Sequence, residues 1–444
     1  MAVGRKVLTL DSVNPCVKGT RLPTLAPLLE RASEIQRQLA QGEEKPFREV
    51  IWCHSGDPHA AGQRPITFLR QVAAICAYPE LLHADSMPRD AKQRASRILQ
   101  ELHGSSAGAC NMEYITTAVP QTVTHYLERR DGGIRCNPRN IITCGGITRA
   151  IVDFLSLVVN EQDPSRAGVL LLVPGHPLFA DAIALAGAVA VQYHLDEEGG
   201  WALDIGEIRR VLGQARGYCT PKVLCVINPG DPTGEPCAEQ DVLQLAAQER
   251  LLLLADEVHQ ESMFTPDSPF LSFKRVLCEL GPVVSSVVQL ISFYSVSKGF
   301  APDADLSQTP GVPVCQAYRQ SEANTETQVV LSDLAHNAQL TQEVFSQVPG
   351  IHCNPVQGAM YSFPRIQIPA RAVQEAQALG LEPDLFFCQK LLEATGIVLA
   401  PGSTFGQCLG THHVRVTLLP PVKTLRIVLQ TIADFHSAFL QRYS

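Results

Sequence analysis

From Asn140 to Ser297 the hydrophobic and polar positions come in repeating blocks. Each is a short apolar, β-prone run, then a Gly/Pro/Asn turn, then a stretch whose apolar residues recur at helical spacing. The runs are NIITCGG, GVLLLVPGHP, AVAVQYH, KVLCVINPG, RLLLLADEVH and VVQLISFYS. Runs this continuously apolar are buried on both faces, which predicts strands of a mostly parallel sheet covered by helices. TRAIVDFLSLVV and EQDVLQLAAQER carry the spacing of amphipathic crossover helices. The predicted core is α/β.

The flanks have another texture. Residues 21–43 and 321–346 show long helical patterns, and near the end HHVRVTLLPP reads as a strand followed by the amphipathic VKTLRIVLQTIADFHSAFLQRY. Because the two ends bracket the α/β core, they are expected to pack together. The expected division is a large α/β domain over 81–320 and a smaller α/β domain from 1–80 with 321–444, with a cleft between them.

A chain of 444 residues, 45% hydrophobic and 18% charged, is long enough to bury such a core. The net charge of -8 and the absence of any Lys/Arg-rich run argue against a nucleic-acid partner or an anionic membrane surface, while leaving room for local anion sites. The opening MAVGRKVLTLDSVNP lacks an apolar leader core and no run approaches a membrane span, so a soluble, cytoplasmic protein is expected. The 14 cysteines are scattered with no C-x-x-C pair and read as reduced thiols. His412 and His413 are adjacent, so their side chains diverge, and with no third ligand nearby no metal is assigned.

In open parallel sheets ligands bind beyond the carboxyl ends of the strands. There NIITCGG delivers Gly146, Ile147 and Thr148 to the start of a helix, where free amides suit a phosphate. NPGDPTG delivers Asn228 and Asp231, ADEVH delivers Asp256, and LISFYSVSKGF ends on Ser295, Ser297 and Lys298. Singly these are ordinary features: an Asp after an apolar run is usually a helix cap, NPGDPTG a turn, a strand-end lysine an exit to solvent. Together, on successive strands, they place a phosphate cradle, a carboxylate and an amine on one edge. Pyridoxal 5'-phosphate needs these three things: donors for its phosphate, an acid beside its pyridine nitrogen and a lysine for its Schiff base. Lys298 in that position could also carry the proton that moves during transamination. Arg415, within HHVRVTLLPP, is a candidate for bidentate capture of a substrate carboxylate across the cleft. Ser295 and Ser297 are the expected side-chain contacts to phosphate, and Gly56 in HSGDP the expected backbone contact near the substrate.

The segments KVLTLDSVNP, GDPHAAGQRPITFLRQV, YLERRDGGI, CVINPGDPTG, LLLADEVHQ, SKGF, CNPVQGAMYSFPR, PGSTFGQ and VRVTLLPP closely resemble alanine aminotransferase, nearly end to end. The resemblance implies a fold-type I transferase that depends on pyridoxal 5'-phosphate. It implies exchange of an amino group between L-alanine and 2-oxoglutarate to give pyruvate and L-glutamate, with small amino acids and 2-oxo acids as ligands. It also implies a homodimer whose active sites lie near the subunit interface. For this chain it implies Lys298 as the Schiff-base lysine, Asp256 as the partner of the pyridine nitrogen and Arg415 as the substrate-carboxylate arginine.

The chain also departs from that pattern. Cys110 in GACNMEY stands where the family has a tyrosine that contacts the cofactor, and His176 in PGHPLFA where a tyrosine lies by the ring. Asp231 replaces the second Asn of N-P-G-N-P-T-G, and a carboxylate has no amide to donate to the cofactor's phenolic oxygen. His259 replaces a tyrosine near the same place. After SKGF the chain continues as APDADLSQTPGVPVCQAYRQ, without the family's G-F-R-G-G-Y segment, and is roughly three dozen residues short before the resemblance resumes near Gln328. Two readings are left by these changes: an aminotransferase of reduced cofactor affinity, and a non-catalytic relative that acts by pairing with a normal subunit. A lyase on the same fold is disfavoured by the arginine strand and by NPVQGAMYSFP.

Overall fold

The computed structural model describes residues 12–20, 25–63, 67–103, 117, 119–160, 163, 165–265, 269–295 and 321–444. A short strand β1 (Ile51–Trp52) lies in the N-terminal part; β2 (Ala167–Val173), β3 (Val189–His194), β4 (Thr220–Ile227), β5 (Leu252–Asp256) and β6 (Leu290–Phe293) form the central sheet. Its order is β3-β2-β4-β5-β6, and every pairing is parallel. The fold is α/β, as the sequence pattern predicts.

Burial along the strands follows their place in the sheet. Central β2 is buried at all seven positions, and β4 from Val223 onward. At the edge, β3 alternates, with Val191 and Tyr193 buried and Ala190 and Gln192 exposed, because only one of its faces is covered. The predicted crossover helices form over Ile147–Val158 and Glu239–Glu249. The second carries Glu239 and Asp241 in its first turn, where negative charge complements the helix dipole.

One predicted strand is corrected. NIITCGG is not a strand: a 3-10 turn over Pro138–Asn140 leads into irregular chain, with Ile142 87% exposed, before the helix starts at Ile147. Backbone groups stay in a strand only where a neighbour pairs with them, and among the described residues none lies beyond β6. The β-propensity of that run is therefore unused.

Apolar side chains gather in separate clusters. The largest fills both faces of the central sheet and takes in Phe363, Ala400 and Phe405 from the C-terminal part. A second joins Leu28, Ala32 and Ile35 of the helix Ala26–Ala40 to Phe345, Phe387, Leu391, Leu429 and Phe439, so the two ends of the chain share one core. A third packs the helices Thr67–Ala77 and Arg89–Glu101 on each other, running across position 80. Phe363 and Phe405 lean on the sheet from the segments flanking the strand Val414–Thr417, and Gly175 N–H, just past β2, donates to the Phe405 carbonyl, which brings that strand to the carboxyl edge of the sheet.

Candidate active site

The chain leaving β4 enters NPGDPTG through two cis peptides, Asn228–Pro229 and Asp231–Pro232. The Asn228 amide N–H donates to the Asp256 carbonyl at 2.8 Å, stitching the exits of β4 and β5 together. Its side chain is spent on the turn. Nδ2 donates to Glu239 Oε1 (2.9 Å) and to the Leu271 carbonyl (3.2 Å), while Oδ1 accepts from Cys237 N–H (3.1 Å). Asn228 thus shapes the loop that presents Asp231 and does not turn its own amide toward a ligand. Gly234 closes the loop at φ +77°, and a Cβ there would lie 2.8 Å from the Gly358 carbonyl oxygen. Only glycine permits this approach, which brings the segment leading to Tyr361 against the turn.

Asp231 and Arg415 meet there, 6% and 8% exposed. Arg415 Nη1 donates to Asp231 Oδ1 at 3.0 Å, and Nη2 donates to the His54 carbonyl at 3.0 Å. The guanidinium carbon lies over the rings of Tyr361 (3.9 Å) and Phe405 (4.4 Å), a cation–π arrangement available to arginine's flat head. Nε is buried without a partner among the described residues. The other Asp231 oxygen, Oδ2, faces His259 Nε2 at 3.6 Å. Burial alone would raise the Asp231 carboxyl, but the Arg415 charge, with His259 and His176 nearby, more than offsets it and holds the group well below the usual carboxylate range.

Arg415 is positioned by strand pairing. Val414–Thr417 runs antiparallel to Ala400–Pro401, with Arg415 opposite Ala400, and to Tyr361–Ser362 on its other side. Thr417 N–H donates to the Cys53 carbonyl and Cys53 N–H to the Val398 carbonyl, which fixes the next residue, His54, with its carbonyl on the arginine. Burial, and then the Arg415 charge, push the His54 imidazole down to about 4, so this ring stays neutral.

Asp256 ends β5, 5% exposed, with Oδ1 accepting from Val258 N–H at 3.2 Å. Burial pushes its carboxyl up to about 7; the Val258 amide works against this, and the neighbouring Asp231 and Glu257 add to it. Among the described residues no cation offsets that burial.

Several expected residues therefore converge: Asp231, His259, His176 and Arg415 interact directly or through their fields, and Asp256 borders them, while Gly56 follows two residues after His54, whose carbonyl Arg415 holds. Gly146 has φ +95° and caps the helix that begins with Ile147 and the exposed Thr148, so the amide-bearing turn forms although the strand before it does not. Ser295 follows the end of β6. Lys298, Ser297 and Cys110 lie outside the described residues. Sequence reasoning missed His54, Tyr361 and Phe405. The latter two stand in the quoted motifs CNPVQGAMYSFPR and PGSTFGQ, where an aromatic near a candidate arginine was the available signal; His54 contributes a backbone carbonyl, which no side chain announces.

Residues 79–302, half of the chain, match the family model "Aminotransferase class I and II". The chain is 47% identical to "Alanine aminotransferase 2" of Xenopus tropicalis over 481 aligned residues, covering 99% of this chain and 91% of that one. The chain belongs to the class I and II aminotransferases. Human "Alanine aminotransferase 1" is 46% identical, with 99% of this chain and 96% of the relative covered. A solved alanine aminotransferase from Pyrococcus furiosus shares the fold, with a TM-score of 0.69 at 19% identity over 96% of this chain and 99% of that one. This aminotransferase is shorter than its relatives: the alignments span 481 positions against 444 residues here, and the family match ends at residue 302, next to Phe300 where the motif resemblance breaks off. As a family member it is a pyridoxal-phosphate-dependent transferase.

The described residues fit that cofactor at its ring nitrogen. Asp256 is a buried carboxyl held by one backbone amide, and a protonated pyridine nitrogen supplies the cation that would offset the cost of burying its charge.

Proposed function

We propose that this aminotransferase moves the amino group of L-alanine to 2-oxoglutarate, giving pyruvate and L-glutamate, as a cytoplasmic homodimer. The observation that carries the reading is Arg415. A buried guanidinium stacked over two aromatic rings, with an unpartnered Nε, is built to receive a small carboxylate, and the relatives named alanine aminotransferase supply the substrate class. The twelve described cysteines are free thiols, which supports a reducing compartment. Among the described residues no helix is long and apolar enough to cross a membrane.

Pyridoxal phosphate, when bound, supplies a ring that draws electrons away from the substrate's Cα. The chain's own residues hold and orient. Asp256 would keep a proton on the ring nitrogen; Gly146, Ile147 and Thr148, with Ser295 and Ser297, would hold the phosphate. His176, Asp231 and His259 would stand around the ring, with Asn228 bracing the loop that carries Asp231. Arg415 orients the amino acid by its carboxylate, with Gly56 beside it, and the Tyr361 and Phe405 rings exclude water from that contact. Lys298 is the proposed point of cofactor attachment and the group that carries the proton to and from Cα.

The test is pyruvate release from L-alanine and 2-oxoglutarate by the purified chain supplied with pyridoxal phosphate, beside Lys298→Ala. Turnover in the wild type and none in the variant is expected. No pyruvate from the wild type, or equal rates in both, overturns the proposal.

A further inference from the structure

Asp231 does more than replace an amide. It sits on the arginine that the proposed function assigns to the substrate. The pair is buried, so neither charge is relieved by solvent, and an incoming carboxylate meets a guanidinium already neutralised. The occupation is one-sided, however. Asp231 takes a single Nη1 hydrogen bond through Oδ1, Nη2 goes to the His54 carbonyl, and Nε is left buried and unpartnered. The second Asp231 oxygen is turned to His259 Nε2, 3.6 Å away, beyond hydrogen-bond reach yet close enough to share the charge. His176 lies in the same field, and Tyr361 meets the His259 ring edge-on at a centroid separation of 6.2 Å.

We infer that Asp231 is a specificity-determining residue which competes with the substrate carboxylate for Arg415 and sets a deliberately weak affinity for it. A carboxylate binds Arg415 only by adding a second anion beside Asp231 or by displacing Asp231 toward His259, and each route lowers affinity relative to a site with a neutral residue at position 231. An asparagine there would still accept from Nη1 through its amide oxygen, so the arginine would stay in place while its charge became available. The inference rests on Arg415 being the carboxylate site of the proposed function.

The test is equilibrium binding of propionate, the alanine skeleton without its amine, measured by calorimetry on the full chain loaded with pyridoxal phosphate; the readout is binding and needs no turnover. Propionamide, the neutral isostere, is the control. Asp231→Asn is expected to tighten propionate binding by about tenfold or more, the scale of one charge-assisted contact, and to leave propionamide unchanged. Arg415→Gln is expected to abolish the gain. If Asp231→Asn does not fold, Asp231→Ser serves, with the same direction expected. Unchanged or weaker propionate binding in the folded variant, or equal gains for propionate and propionamide, overturns the competition. Propionate bound equally well by Arg415→Gln and wild type overturns the proposed role of Arg415 itself, a different failure from the first.

Discussion

Asp231 and Arg415, 184 positions apart in the chain, form a buried ion pair through one 3.0 Å hydrogen bond, with the guanidinium spread over Tyr361 and Phe405. The pair joins the turn after β4 to the C-terminal strand and is structural as well as chemical. Removing one partner strands a charge in the interior. Arg415→Ala is expected to cost about 3–5 kcal/mol of stability, and the double variant with Asp231→Asn clearly less, because the uncompensated carboxylate is gone. Urea unfolding of the wild type, both single variants and the double variant measures the coupling. A double-variant loss equal to the sum of the two single losses would show that the pair contributes nothing as a pair.

Arg415→Lys separates charge from shape. Lysine keeps the positive charge but loses the flat fork and the stacking over both rings. The kcat/KM for L-alanine is expected to fall about ten- to a hundredfold, the scale of one or two charge-assisted contacts. Steady-state kinetics that leave kcat/KM within twofold of wild type would contradict this.

Much of this arrangement was legible in the sequence, and the limits are physical. The apolar blocks gave β2, β4 and β5 because two-sided burial imposes continuous apolar runs, and the helices Ile147–Val158 and Glu239–Glu249 because amphipathic spacing survives in isolation. NIITCGG has the same local signal, yet a strand is a relation between two segments, and no described neighbour pairs with it. At the site, Asp256, Asp231, His259 and Arg415 were legible as residue types in motifs. That Asp231 contacts Arg415 was not, because the sequence carries no sign of which of two distant polar residues will face each other. Asn228 looked like a ligand and is a brace, since the turn around it has backbone groups that need its amide.

Asp256 predicts a pH dependence. Its carboxyl is pushed up to about 7 by burial, and Glu257's likewise, both above their values in an unfolded chain. Between roughly pH 4 and 7 the folded chain therefore holds protons that the unfolded chain has lost. Each group removes about 1.4 kcal/mol of stability per pH unit as pH rises through that window. His54, pushed down to about 4, has the opposite sign and loses stability as pH falls below its ordinary range. Asp256→Asn removes one carboxyl's share and leaves the others, so the variant of the cofactor-free chain is expected to gain relative stability as pH rises from 4.5 to 8. Thermal melts across that range check it. Parallel curves for variant and wild type would contradict the burial of an ionisable Asp256.

Gly234→Ala tests the loop that presents Asp231. With φ +77° and the Gly358 carbonyl oxygen 2.8 Å from the new Cβ, the turn and the segment leading to Tyr361 must separate. The expected loss is about 2 kcal/mol or more, with kcat/KM falling further than stability alone explains because Asp231 and Tyr361 move apart. A variant of wild-type stability and activity would mean that this contact is not formed.

The central claim is that this chain binds pyridoxal phosphate in a site containing Asp256 and Arg415 and passes the amino group of alanine through it. The most direct measurement is the visible absorption spectrum of the purified chain with added pyridoxal phosphate, freed of excess cofactor, before and after L-alanine. A protein-bound visible band that is lost on adding L-alanine and restored by 2-oxoglutarate is predicted. A chain that retains no band, or a band that L-alanine leaves unchanged, would contradict the account.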